Sequence, residues 1–395
     1  MSGGGPGGGA MIVGAGAVAE AHAAYYARGT GPADGGREEM RPRLNAVVDS
    51  DESRARAFAR RHDVRLVFTD MEEALAEVRP EVVHICTPPW LHAEQSIASM
   101  RAGAWVLCEK PACGSLAELD RIEEVERSTG CYAATVFQWR FGSGMRHLKR
   151  RVEAGALGRP LVAVCNTLWY RDAAYYAVPW RGRWATELGG PTMIHGIHLV
   201  DALLWLLGDW EEICARAPTL ARDLETEDVS AAVVRFAGGA LATVLNSVLS
   251  PRQETYLRID FERATVEASG LYEVTNAQWR ATALPADEPE ERSRLEAAWG
   301  TIGEETPATQ ATQIAELYGD LRAGRAPLIT GRERRRTMEF ITGLYKSAFT
   351  GTAVTPGSIT PDDPYYRRLS PAAPPTPATA PPSFGSGSPP GRNRA

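Results

Sequence analysis

Long apolar runs are absent from this chain. No segment reaches the roughly 18 consecutive apolar residues of a membrane-spanning helix, so no membrane partner is expected. A surplus of basic charge is also missing. Lys and Arg number 43 against 49 Asp and Glu, a net charge of −6. That balance offers no cationic surface for nucleic acid. Cysteine is sparse: Cys86, Cys108, Cys113, Cys131, Cys165 and Cys214 are the six in 395 residues, and none form a C-x-x-C pair. They read as reduced, buried small hydrophobes of a cytoplasmic protein. The opening Met1-Ser2-Gly3-Gly4-Gly5-Pro6 lacks the charged and apolar regions of a secretory signal. No H-E-x-x-H or similar ligand pattern occurs, so no metal is expected, although His195, His198 and Asp201 are a conceivable ligand set.

What is present suffices for large cores: 44% of residues are hydrophobic, and the length calls for more than one domain. Up to about Val136, strand-like and helix-like runs alternate. Strands are expected at Met11–Val13, Leu44–Val48, Arg65–Phe68, Val82–Cys86, Trp105–Cys108 and Tyr132–Phe137. Helical runs lie between them, at Glu20–Arg28, Ser53–His62, Met71–Val78, Ala93–Ala102 and Ser115–Ser128. This is the α/β doubly wound pattern of a parallel sheet. The second half changes character. After a helix at Gly144–Ala154, strands are expected at Pro160–Tyr170, Ile213–Ala217, Ser230–Phe236, Ala240–Ser250, Glu254–Phe261 and Ala264–Ser269. Short turns such as Ala237-Gly238-Gly239-Ala240 suggest a large, mostly antiparallel open sheet with helices on one face. Helices at Pro307–Ala323 and Arg332–Phe349 close it. The expected division is 10–137 for the first domain and 138–361 for the second. Residues 1–9 and the Pro-rich 370–395 are expected to be disordered, because they hold too little apolar bulk to offset ordering entropy.

Three constellations carry chemistry. The first is Ala10-Met11-Ile12-Val13 followed by Gly14-Ala15-Gly16-Ala17-Val18-Ala19 and a helix, a G-x-G-x-x-G/A pattern between strand and helix. Gly14 suits a tight turn, and Gly16 lets a pyrophosphate approach the helix N-terminus. Asp49 closes the next strand, where a ribose-binding acid is expected. Its longer than usual separation from the glycines is assigned to a loop insertion over Gly29–Arg43. The second is the strand Trp105-Val106-Leu107-Cys108, which ends on Glu109-Lys110-Pro111. Ligands of open parallel sheets sit beyond the carboxyl ends of the strands, so Lys110 points at the crevice. Desolvation there lowers a lysine's pKa and makes it a usable acid and base. The third is Gly189-Gly190-Pro191 leading into a helix that bears His195, His198 and Asp201. The histidines share a face at spacing three, and Asp201 is placed to orient His198. The bland alternative is two buried histidines bonded to backbone carbonyls.

Together these segments resemble the Gfo/Idh/MocA family of nicotinamide-dependent oxidoreductases, from about Met11 to about Pro361. The resemblance rests on Gly14–Ala19, on Cys86-Thr87-Pro88-Pro89-Trp90-Leu91-His92, on Cys108-Glu109-Lys110-Pro111, and on Gly189 through His198 and Asp201. It implies a Rossmann domain followed by an α/β substrate domain, and because a large open sheet usually needs a partner face, a homo-oligomer through the second sheet is expected. The resemblance also implies Lys110 as catalytic acid/base, with His198 as a catalytic or substrate residue. Cofactor contacts fall on Gly14, Gly16, Ala17, Val18, Asp49, Thr87, Pro88, His92, Glu109, Lys110 and Gln138. Arg140, Tyr170, His195 and His198 are the substrate candidates. The aromatic and basic run from Trp169 to Trp184 suits a sugar ring, with Trp169 and Trp184 expected in the core or an interface. The chain departs from the family's polyol dehydrogenases at Ile194, which stands where they carry an aspartate four residues before the histidine; His195 is the neighbouring polar group. The expected activity is NAD(P)-dependent hydride transfer to or from a sugar, polyol or cyclitol, with NAD favoured by Asp49 and NADP possible. The rival expectations are a lyase or epimerase that uses tightly held NAD transiently, and a non-catalytic nucleotide- or sugar-binding regulator.

Overall fold

The computed structural model describes residues 9–27, 42–272, 274–300 and 302–372. The expected loop insertion lies almost wholly outside these residues, as do most of the two segments expected to be disordered. At the described ends of those segments, the Gly9 carbonyl accepts from the amide of Glu81 at 2.9 Å and Ser370 is buried, whereas Pro371 and Ala372 are exposed.

Strands β1 (Ala10–Val13), β2 (Leu44–Val48), β3 (Leu66–Phe68), β4 (Val82–Ile85), β5 (Trp105–Cys108) and β6 (Ala133–Thr135) alternate with helices α1 (Ala17–Ala23), α2 (Glu52–His62), α3 (Met71–Val78), α4 (His92–Arg101) and α5 (Leu116–Thr129). They form one parallel sheet in the order β3-β2-β1-β4-β5-β6. β1, β4, β5 and β6 are buried throughout, as strands covered by helices on both faces must be. Helix starts follow their caps. Asp51, Asp70 and Ser115 each accept an amide hydrogen bond in the first turn of α2, α3 and α5. The helix expected to run to Arg28 ends earlier: α1 stops at Ala23 and a 3₁₀ turn, Ala24–Tyr26, follows.

Helix α6 (Ser143–Glu153) leads into the second sheet. Its strands are β7 (Pro160–Tyr170), β8 (Trp210–Arg216), β9 (Val229–Phe236), β10 (Leu241–Ser247), β11 (Leu249–Phe261), β12 (Ala264–Gly270) and β13 (Trp279–Ala283). The short helix α7 (Ala173–Tyr176) and the apolar helix α8 (Ile197–Leu207) precede β8, and α9 (Pro289–Gly300), α10 (Gln310–Ala323) and α11 (Gly331–Thr350) complete the described chain. The strand order is β13-β12-β11-β7-β10-β9-β8. All neighbouring pairs are antiparallel except β7 and β10, which run parallel. The single strand expected over Ala240–Ser250 is two. β10 ends at Ser247, and the chain crosses the end of β7 at Val248, whose carbonyl accepts from the Arg171 amide at 2.9 Å; β11 then runs down the other side of β7. An apolar run hides such a break because both pieces are strand. β13 and α9 had no counterpart in the sequence reading. Among the described residues no helix is long and apolar enough to cross a membrane, and no group of three or more His, Cys, Asp or Glu is placed to hold a metal ion. Cys214 is exposed rather than buried, on the outward face of β8; the other five cysteines are buried, and all six are free.

Arg140 and Asp201 depart from their expected roles. Arg140 is wholly buried, and its guanidinium grips Asp201 in a bidentate pair at 2.6 and 2.7 Å. Thr337 of α11 donates to the same carboxylate at 2.9 Å, and Glu333 pairs with Arg140 from the outside. Arg140 is thus a bolt between the turn after β6, α8 and α11, and Asp201 is too engaged to orient His198. Removing one partner of a buried pair strands the other. Arg140→Ala is expected to lower stability by about 3–5 kcal/mol, read from denaturant melts. Adding Asp201→Ala should cost much less than the sum of the two single changes; simple additivity would show that the pair is not the unit described.

Candidate active site

The carboxyl ends of the parallel sheet open into one cavity of about 1340 Å³, which continues to the inner face of the second sheet. Gly14, Gly16, Ala17, Val18, Asp49, Thr87, Pro88, His92, Glu109, Lys110, Gln138, His195 and His198 all line it. Of the expected site residues, Arg140 and Tyr170 do not.

At the first-sheet end, the turn after β1 is shaped for an anion. Gly14 has φ of +92°, and a Cβ there would sit 2.7 Å from the Cys86 carbonyl oxygen, so only glycine fits. Gly16 caps α1, and a Cβ on it would meet nothing within 4 Å. The helix N-terminus therefore faces open space. Asp49 sits across this turn. One carboxylate oxygen accepts from the Ala15 amide at 2.8 Å and the other from the Asp51 amide at 2.9 Å. Arg54 lies 3.6 Å from Asp49. Each carboxylate oxygen retains capacity for a further donor, such as a ribose hydroxyl.

His92 is a clamp. Its ring nitrogens contact the carbonyls of Pro111 at 2.6 Å and Thr87 at 2.8 Å, tying the loop after β4 to the loop after β5. Burial holds its pKa below the ordinary range against those two bonds, and neither nitrogen is free for a ligand. Glu109 is also engaged. Burial alone would raise its carboxyl, but the hydrogen bond from His22 at 3.1 Å and the neighbouring cations outweigh burial and hold it at about 2. His22 in turn contacts His84 at 3.0 Å, His84 contacts the Tyr26 hydroxyl at 2.6 Å, and Tyr26 meets Tyr318 of α10 at 3.0 Å. The sequence reading missed this buried file. Its only trace was one histidine on α1 and another inside β4, a strand otherwise apolar.

Lys110 extends from the end of β5, after which the Lys110–Pro111 peptide is cis. Its ammonium donates to the Ile194 carbonyl at 2.7 Å. Burial lowers its pKa below 10.5; Glu109 opposes that shift and Arg181 adds to it. Ile194 belongs to a π-helical turn, Thr192–Gly196, at the head of α8, a form frequent at functional sites. The residue that lacks the family's carboxylate thus still holds the lysine, through its backbone.

His198 follows one turn on. Burial, then Lys110, depress its pKa to about 3, so it is neutral. Its Nδ1 is buried without a partner among the described residues, as are Gln138 Oε1 and Thr167 Oγ1. All three residues line the cavity. Buried polar atoms ordinarily find partners, so three orphans around one cavity fit a polar ligand. His195 packs against Trp169, with ring centroids 4.6 Å apart, and burial drives its pKa well down.

The remaining wall comes from β7 and the segment after it. Successive residues of a strand face opposite ways. Thr167 and Trp169 face the cavity, whereas Tyr170 is directed away, 42% exposed, with the Arg222 guanidinium over its ring. Trp169, expected in the core or an interface, is a cavity wall, and Trp184 is core against Tyr345 and Phe349. Trp180, Arg181 and Tyr272 complete this end.

A parallel six-stranded sheet with a glycine turn, an acid after β2 and a lysine after β5 defines a dinucleotide-binding protein of the Rossmann class. Comparison with known proteins then identifies the family. Residues 9–137 match the model of the oxidoreductase family with NAD-binding Rossmann fold, and residues 145–267 match the Gfo/Idh/MocA C-terminal domain. The chain belongs to the Gfo/Idh/MocA family. It is 33% identical over 201 residues to the D-glucoside 3-dehydrogenase of Escherichia coli, covering 50% of this chain and 53% of that protein. It is 31% identical over 209 residues to the myo-inositol 2-dehydrogenase of Thermotoga maritima, covering 52% of this chain and 60% of that protein. The chain thus spans between half and two thirds of the length of these curated relatives. The crystal structure of the WlbA dehydrogenase from Bordetella pertussis with NADH and UDP-GlcNAcA superposes with a TM-score of 0.75 at 25% identity, covering 88% of this chain and 98% of that one.

Proposed function

We propose that this protein is an NAD-dependent oxidoreductase that moves hydride between the nicotinamide and a carbinol carbon of a sugar, polyol or cyclitol. The observation that carries this reading is convergence. Lys110, His198 and Gln138 meet in the cavity that begins at the glycine turn, and the last two present unpartnered buried polar atoms to it. Named activities of the relatives, a glucoside dehydrogenase and an inositol dehydrogenase, support the substrate class. Residues 10–137 serve as the cofactor domain and residues 138–361 as the substrate and assembly domain. The free cysteines support a cytoplasmic setting.

Gly14, Gly16, Ala17 and Val18 would hold the pyrophosphate, Asp49 the adenosine ribose, and Thr87, Pro88, Glu109 and Gln138 the nicotinamide half. Bound nicotinamide supplies the hydride acceptor. The chain's own residues handle the proton. In its neutral form, Lys110 takes the hydroxyl proton of the substrate while the Ile194 carbonyl fixes the direction of its nitrogen. Neutral His198 offers a ring nitrogen to the same hydroxyl and so orients it. His195, on the Trp169 face, holds the substrate ring and stands beside Ile194, where the family's aspartate is lacking.

Lys110→Ala is expected to keep cofactor affinity and to lose about 10²–10⁴-fold in turnover. The pH profile carries the sign. The amine is a base only above its pKa, and burial has moved that pKa below the ordinary lysine range. Oxidation should therefore rise with pH along a limb lying below 10.5, and the limb should vanish in the variant. A variant that keeps both rate and limb removes Lys110 from the mechanism.

Cofactor choice follows Asp49, since a carboxylate accepts from a free 2′-hydroxyl and repels a 2′-phosphate. Fluorescence titration is expected to find NADH tighter than NADPH. The reverse order would mean that Arg54, rather than Asp49, faces the ribose.

The outer face of the second sheet supports assembly with a second copy. Val162, Val233 and Leu241 are 47%, 48% and 51% exposed; Val162 and Leu241 are in register on β7 and β10, and Val233 of β9 lies diagonal to Leu241, opposite Thr243. Charged pairs flank these residues, Arg235 with Glu211 on one side and Arg258 with Asp260 on the other. Light scattering should find an oligomer that Leu241→Glu dissociates; a wild-type monomer would refute this pairing.

A further inference from the structure

One arginine lines the substrate end of the cavity and a second stands behind its aromatic wall. Arg181 is the first, and it is built in firmly. Its Nη1 donates to Glu187 at 2.9 Å and to the Tyr175 hydroxyl, and the guanidinium carbon lies 3.8 Å from the Tyr175 ring centre and 4.3 Å from that of Trp180. Glu187 is 2% exposed and also accepts from the Gly182 amide, so the pair is fixed where Arg181 lines the cavity. Arg171 is not itself among the lining residues but stands directly behind two of them, 4.8 Å from the ring centre of Trp169 and within hydrogen-bond reach of Tyr272, and it lies 5.2 Å from the ring centre of Tyr175. It donates to the Tyr170 carbonyl at 3.1 Å and the Tyr272 hydroxyl at 3.2 Å. Its Nε is buried without a partner, and among the described residues Arg171 has no carboxylate within ion-pairing distance.

Among the described residues, Arg171 is the cation here that no carboxylate answers. Lys110, Arg171 and Arg181 are three cations close enough for both arginines to depress the lysine's pKa. The carboxylates nearby are Glu109, bonded to His22, Glu187, bonded to Arg181, and the exposed Asp172, whose side chain is turned to the Tyr175 amide at 2.9 Å and, among the described residues, pairs with no arginine. Like charges gathered in a partly desolvated cleft repel one another, and a planar guanidinium is matched to a carboxylate or phosphate by its fork of donors. The aromatic walls, Trp169, Trp180 and Tyr272, supply faces for a ring beside those forks.

We propose that the sugar bound in this cleft carries an anionic substituent, a carboxylate or a phosphate, held by Arg171 and Arg181. This rests on the reading of the protein as a sugar oxidoreductase and narrows it: neutral hexoses and inositols are then poor ligands.

The test is equilibrium binding to the NADH-loaded protein, by calorimetry, with glucose, glucuronate and glucose 6-phosphate as probes. A charge-assisted pair is worth roughly 10- to 100-fold in affinity, so one of the two anionic sugars should bind at least about tenfold tighter than glucose. Which one wins tells carboxylate from phosphate. Arg171→Met should bring that ligand close to parity with glucose, and Arg171→Lys should recover part of the preference; NADH affinity in each variant reports that the protein is folded. Equal affinity for all three sugars, no detectable binding of either anionic one, or an Arg171→Met effect shared equally by glucose overturns the proposal. Turnover with NAD is measured separately. Selective binding without turnover would count against the oxidoreductase reading alone, and turnover of glucose at least as efficient as that of both anionic sugars would count against the anionic site alone.

Discussion

The hydrogen bond from the Lys110 ammonium to the Ile194 carbonyl joins the end of the parallel sheet to the π-turn that heads α8, where both face one cavity. Lys110 stands at the end of β5, rigid because the strand is buried on both faces. Ile194 stands in a π-turn, where the ladder is loosened before α8 resumes regular helix. A buried carbonyl needs a donor, and a desolvated ammonium needs an acceptor. Each meets the other's need, and the lysine's direction follows. The proposed chemistry, proton transfer at a hydroxyl positioned by His198, depends on that direction being held to within a fraction of an ångström.

Around this contact, buried polar groups fix the walls. Glu109, His22, His84, Tyr26 and Tyr318 form one file from the cavity to α10. Arg140, Asp201, Thr337 and Glu333 lock α8 against α11. Arg334 grips Glu126 at 2.8 Å and so ties α11 to α5. Such pairs contribute little net stability compared with apolar packing. Their role here is geometric: each has one arrangement that satisfies its partners, and that arrangement sets where the histidine helix stands relative to the parallel sheet. The orphaned atoms of Gln138, Thr167 and His198 are the complement, polar groups held in place with nothing of the protein to bond.

The legible parts of the site were those with a local cause. The glycine turn was readable because φ of +92° at Gly14 has a residue type that signals it. Lys110 was readable because a strand's end, not its neighbours, decides where it points. Tyr170 was misplaced and Trp169 undervalued for one reason: in a strand a single residue's offset reverses the face, and the composition of Trp169-Tyr170-Arg171 does not say which face is inward. The family's pattern suggested a site for Arg140, yet Asp201, 61 residues away, claims it. Asp201 has the helical spacing to orient His198, but spacing on one helix says nothing of a partner on another element.

From the sequence alone came the alternation of strands and helices in the first domain, its parallel sheet, the glycine turn and the lysine at the strand end. Each follows from periodicity, capping or turn chemistry within a few residues. Only tertiary structure decided that Ile194 serves through its backbone, that His92 is a clamp, that β7 and β10 run parallel and that Arg171 lacks a counter-charge. These depend on groups that are far apart along the chain and meet only when packing brings them together. A one-dimensional pattern records what each residue can do, but not which partner reaches it first.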